Sequence, residues 1–215
     1  MAHTAARTLV ALLLGAAAAR GYDAALDPQE LIDAIRIGQS STASTRAGFH
    51  RPYRLSVARA PIDFIDIVTP FRRVELAAEE RARLGDRSFG QRDAAAVAGE
   101  HGTGLVVFVE LTFHPLNTYV GVPPYVVRMA RLVPPGDVAA LDVQRVPRFG
   151  VRVGEMPLPY PRAPMLPAGS QPMLGGTVIA RFAGAQLDAQ GGYDVVVEES
   201  GKELARVRVN LANLR

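Results

Sequence analysis

The chain has 215 residues with no cysteine and no tryptophan, and its 24 Lys and Arg against 21 Asp and Glu leave a net charge of +3. Lacking cysteine, it is not expected to be a disulfide-stapled scaffold or a lipoprotein anchored through a cysteine. Lys202 is the only lysine, and arginines alternate with acids along most of the chain. The high isoelectric point therefore reflects arginine at near-balanced charge rather than a basic face, and nucleic-acid binding is not expected.

Met1 to Thr8 carries one fixed positive charge, Arg7, and no acid; Leu9 to Ala19 contains only Leu, Val, Ala and Gly. Ala17 and Ala19 supply the small-x-small pair that a signal peptidase accepts, just before Arg20 and Gly21. This is the three-part layout of a secretory signal peptide, and the run falls short of the ~20 apolar residues of a bilayer crossing. Residues 1–19 are read as a cleaved leader. The expected product is soluble and exported, periplasmic or secreted, with no integral membrane segment.

Residues 20–48 are expected to form an N-terminal helix and a loop. Asp27-Pro28-Gln29-Glu30 offers an N-cap, a proline at the first helical position and a glutamate at N3. Leu31, Ile32 and Ile35 follow at helical spacing, Gly38 closes the helix, and the polar stretch Gln39 to Gly48 reads as the loop. Residues 49–215 read as one mostly-β domain. Its first expected strands are Tyr53 to Ala58, Ile62 to Thr69 and Phe71 to Leu76, punctuated by Pro61 and Pro70. Two short helices are expected next, Ala77 to Leu84 and Gln91 to Ala98, and then long strands over Leu105 to His114 and Tyr125 to Val133.

Eleven of the sixteen prolines lie between Pro123 and Pro172, too dense for a helix or a central strand. Residues 156–173 are expected to form an extended proline-rich strap along the domain surface. The last predicted strands are Thr177 to Ala183, Tyr193 to Glu198 and Lys202 to Leu211. For the final hairpin, a two-residue Ser200-Gly201 loop would set Val195 opposite Arg206 and mix the faces. A three-residue loop, Glu199-Ser200-Gly201, pairs Tyr193 with Val207, Val195 with Ala205 and Asp194 with Arg206, and is the expected register.

Leu187-Asp188-Ala189-Gln190-Gly191-Gly192-Tyr193 places a leucine six residues before a tyrosine that opens a strand. It resembles the corner between sheets in fibronectin-III and immunoglobulin-like sandwiches, where a tyrosine hydroxyl ties back to the backbone. The resemblance covers about forty residues and implies a β-sandwich corner, with nothing about activity. The expected fold class is mainly β, a sandwich with an immunoglobulin/fibronectin-III-like C-terminal part and a few short helices.

No hydrolase elbow, P-loop or dinucleotide-binding turn is present. His50, His101 and His114 show no local metal-ligand spacing, so neither a metal nor a cofactor is expected. Asp63 and Asp66, three apart in a strand, should point to opposite faces, with Arg72 or Arg73 pairing Asp66. The best candidate binding residues are Glu110, Thr112 and His114 on one face of the long strand, with Asn117 and Tyr119 in the turn after it. Without an assembled catalytic motif, the expected role is a non-enzymatic accessory or binding protein of the envelope, its partner a protein or a small ligand. The alternatives are a small hydrolase or lyase with a pocket around His114, and a carrier holding an apolar ligand between its sheets.

Overall fold

The computed structural model of the chain describes residues 21–100, 102–114, 117–150 and 173–215. It is mainly β, with two antiparallel sheets and four short helices. The leader at residues 1–19 and nearly all of the proline-rich strap at 156–173 lie outside the described residues. Among the described residues no helix is long and apolar enough to cross a membrane.

Helix α1 (Pro28–Gly38) starts as its sequence dictates. The Asp27 side chain accepts the Glu30 N–H, and Glu30 reaches back to the Asp27 N–H at 3.0 Å, a closed capping box. The segment expected as a loop holds a second helix, α2 (Ala43–His50), which buries none of its residues. With Phe49 as its one large apolar residue the helix shows no apolar periodicity, which is why its Ser- and Thr-rich sequence reads as a loop. Strands β1 (Arg54–Arg59) and β2 (Ile62–Val68) follow as expected.

The largest departure comes next. Phe71 to Leu76 is not a strand; it is the first half of α3 (Pro70–Arg83), whose second half is the expected surface helix. Thr69 caps it, its side chain accepting the Arg72 N–H at 3.1 Å, and Pro70 occupies the first turn. Phe71, Val74 and Ala78 then bury one face at helical spacing. Arg72, Arg73 and Glu75 are also buried, which hides that face from a hydrophobicity reading.

Helix α4 (Gln91–Glu100) leads into β3 (Leu105–Thr112), followed by β4 (Val126–Arg131), β5 (Gly136–Ala139), β6 (Asp142–Phe149), β7 (Met173–Phe182), β8 (Gly192–Glu199) and β9 (Lys202–Asn210). One sheet has the order β1-β2-β3-β7-β6 and the other β5-β4-β8-β9. Strands β5 and β6 were not expected; β6 accommodates Pro147 because it is an edge strand.

The two sheets share one core. Ile65, Val107, Val109 and Val178 come from the first sheet, and Met129, Val195 and Val197 from the second. A smaller cluster of Leu31, Ala34, Phe71, Val74, Ala78, Phe89 and Ala94 joins α1, α3 and α4, and Phe49 packs against both. Tyr193 Oη accepts the backbone N–H of Asp188 at 2.7 Å, tying the start of β8 to the preceding loop.

The β8–β9 hairpin corrects the expected register. Its turn has two residues, Ser200 and Gly201, both with positive φ, and Glu199 faces Lys202. The objection to such a turn is removed by a bulge. Glu198 pairs with Glu203 and Val197 with Ala205, so Leu204 is inserted. Beyond it Val195 faces Val207, Tyr193 faces Val209 and Asp194 faces Arg208, and apolar alternation is restored.

Candidate functional site

Of the residues anticipated at the end of β3, Glu110 and Thr112 are joined through Arg148, and Asn117 is joined to Tyr119 and the His114 carbonyl. Glu110 and Thr112 point outward from the five-stranded sheet into a shared polar network. Glu110 accepts from Thr177 at 2.7 Å and from Arg148, while Thr112 donates to Asp63 at 2.6 Å and accepts from Arg148 at 3.2 Å. Asn117 is a bracket: its amide donates to the carbonyls of His114 and Met173 at 2.7 and 2.9 Å, and its oxygen accepts the Tyr119 N–H. The Tyr119 ring packs on Phe113 at 4.7 Å. His114 is exposed beside this bracket.

Asp63 and Asp66 do not take the opposite faces expected of a regular strand: Asp63 meets Thr112 and Asp66 faces Phe108, both on the outward side of the sheet. The register of β2 shifts between Ile62 and Phe64, a bulge at Asp63. Asp66 pairs with Arg72 through two contacts of 2.6 and 3.0 Å, and Arg54 joins at 3.3 Å. The expected ion pair exists, but Arg72 comes from a helix rather than a neighbouring strand.

A cleft of about 510 Å³ lies where α3 meets the outer face of the five-stranded sheet. Its floor is apolar, built by Val106, Phe108 and Ile179, and Arg73 and Arg181 stand at its edge. Both arginines are engaged. Arg73 donates to the carbonyls of Gly102 and Gly104 at 3.3 and 3.1 Å, and burial pushes its pKa down; Arg181 pairs with Asp142 at 2.5 Å.

A second concavity, about 640 Å³, is lined by His50, Arg51, Arg54, Arg72 and Glu79. Glu75 and Glu79 are four apart on α3 and therefore share one face of it; His50 arrives from the last turn of α2. His50 Nε2 lies 2.9 Å from Glu79 Oε2 and 3.5 Å from Glu75 Oε1. Arg46 donates to the other oxygen of Glu79 at 3.0 Å. Glu75 is fully buried, and neither of its oxygens has a hydrogen-bond partner. Burial first, and then the charge of Glu79, push its pKa up to about 8, against the pull of Arg72 and Arg46. The arrangement offers one imidazole nitrogen and two carboxylates within 4.8 Å of one another, a donor set suited to a divalent cation and to holding a proton.

Sequence reasoning missed this cluster. Its signal was the Glu75/Glu79 spacing, which is meaningful only if residues 70–83 are one helix. The Thr69-Pro70 start could have shown that. The chain matches no protein-family model, no curated protein and no solved structure.

Proposed function

We propose that this chain is an exported, non-catalytic binding protein of the cell envelope, an immunoglobulin-like sandwich that holds a small ligand with an apolar body in the cleft between α3 and the five-stranded sheet. The observation behind this reading is the cleft itself. Its volume of about 510 Å³ falls within the ~300–1,000 Å³ of small-molecule sites. Arg73, Arg181 and Asp66 at its edge are all committed to protein partners, which leaves an apolar floor with Glu100 at the rim.

The sandwich reading is supported by strand order. Strands β2, β3, β7 and β6 run side by side as A, B, E and D would, and β5, β4, β8 and β9 as C′, C, F and G would. Tyr193 makes its backbone tie at the start of the strand equivalent to F. On this reading β1 and the α3–α4 segment are additions at the A edge. Export is supported by the three-part leader.

Two measurements test the reading. Intact mass of the protein from its natural source should correspond to a chain starting at Arg20; a mass that includes Met1 overturns export. An environment-sensitive apolar fluorophore should bind the processed protein saturably, and Ile179→Glu should abolish binding while leaving the circular dichroism unchanged. Binding that survives this charge on the cleft floor would refute the cleft as the ligand site.

A further inference from the structure

We infer that His50, Glu75 and Glu79 bind a divalent first-row transition-metal ion of the zinc type, at a site separate from the apolar cleft. The reasoning begins with Glu75. A fully buried carboxyl group without a hydrogen-bond partner on either oxygen is costly and needs an explanation. Its nearest buried cation on the helix does not supply one. Arg72 directs its terminal nitrogens to Asp66 and to the Ile67 carbonyl.

The geometry around Glu75 suits an inserted cation. A tetrahedral ion with bonds of about 2.0–2.1 Å holds its ligand atoms about 3.3 Å apart. The distances from His50 Nε2 to the two carboxylates, 2.9 and 3.5 Å, bracket that value. Glu79 is set for one-oxygen coordination, because Arg46 holds its Oε1 at 3.0 Å and leaves Oε2 toward the imidazole. A partner that fixes a ligand from behind in this way is a regular feature of protein metal sites. His50 and Glu79 also line the 640 Å³ concavity, which supplies an entry path and room for a fourth ligand such as water.

The donor set chooses the class of ion. Calcium and magnesium take all-oxygen shells, whereas an imidazole nitrogen with carboxylates suits zinc and its neighbours. Two carboxylates and a neutral imidazole balance a charge of two.

The test is calorimetric titration of the full, tag-free, metal-stripped protein with zinc chloride, then with calcium and magnesium chloride. One zinc per chain is expected, with no comparable heat from calcium or magnesium. Glu75→Gln and His50→Gln should each weaken zinc binding beyond the ~10–100-fold that follows loss of an outer-shell partner. Arg46→Gln should fall within that range. Zinc should raise the melting temperature of the wild type and not of the two ligand variants. Glu75→Gln keeps the size and shape of the side chain and should fold; if it does not, the partly exposed His50 supplies the deciding variant. Three outcomes overturn the inference: no saturable 1:1 zinc binding, equal binding by calcium or magnesium, or variants that bind as the wild type does.

Discussion

In the folded protein without a bound cation, the neutral acid is favoured at Glu75, because water is excluded and neither oxygen is hydrogen-bonded. An unfolded glutamate titrates near 4.5, and in the fold burial and then Glu79 push this one up to about 8. Between those values the folded chain keeps a proton that the unfolded chain has lost. The native state then binds more protons, so stability falls as pH rises through that window and the loss is complete above it. Urea denaturation in the presence of a chelator should show wild type losing roughly 2–4 kcal/mol between the low and high ends of the window. Glu75→Gln should lack that loss. Parallel pH profiles for the two proteins would mean that the Glu75 carboxyl does not titrate as described. Asp66 poses the opposite case. It pairs with Arg72, whose side chain is only 3% exposed, so Asp66→Ala strands a buried cation. A cost of about 3–5 kcal/mol is expected, and the double variant Asp66→Ala/Arg72→Met should recover much of it.

At the scale of elements, the β8–β9 hairpin shows how turn and bulge act together. A two-residue turn with positive φ at both positions matches strand twist, and the Leu204 bulge then returns the valines to the core face. Gly201→Ala forces a side chain into φ 79° and should cost about 1 kcal/mol in chemical denaturation. Ser200→Gly should be neutral or slightly stabilising, and the reverse order of effects would contradict this turn geometry. The hairpin also marks how far the sequence could be read. Its two strands and its location are plain in Tyr193 to Leu211, but alternation alone cannot reveal a bulge that lies between two acceptable registers. Helix α1 was legible to the residue because Asp27 and Glu30 encode its start chemically. In α3 the buried side of the helix carries Arg72, Arg73 and Glu75, whose hydrophobicity argues for solvent. Phe71 to Leu76 therefore looks like a strand until tertiary partners for those charges are known. The same misreading concealed the Glu75/Glu79 face and left His50 as an isolated histidine. Glu110 and Thr112 were correctly placed on one outward face, since strand alternation fixes that much; that Arg148 would meet them could not be read, because β6 was unrecognised.

At the scale of the molecule, two hydrophobic clusters, one between the sheets and one among the helices, meet at a narrow seam that includes Phe49. The other element of the seam is Arg215. Its backbone N–H donates to Tyr53 Oη at 3.0 Å, and its carbonyl accepts from Tyr53 Oη at 3.0 Å and from Thr69 at the start of α3. Its guanidinium lies 4.3 Å from the centre of the Phe71 ring and reaches Asp33 of α1 at 3.3 Å. The side chain thus grips α1 and α3, while the backbone follows directly from the last turn after β9. Arg215→Ala keeps the backbone bonds and removes only the hold on the helices. Hydrogen exchange should then show α1 and α3 amides losing about 1–2 kcal/mol of protection, from one ion pair and one cation–π contact, with β8 and β9 unchanged. This follows because local opening tracks the contacts that an element makes. The helices bear both proposed sites, Glu75 and Glu79 at one and Arg73 and Leu76 at the other. Loosening them should therefore weaken fluorophore and zinc binding together, without altering either set of contact residues. Equal loss of protection in both sheets would mean that helices and sandwich open as one unit, and that the seam has no separate identity.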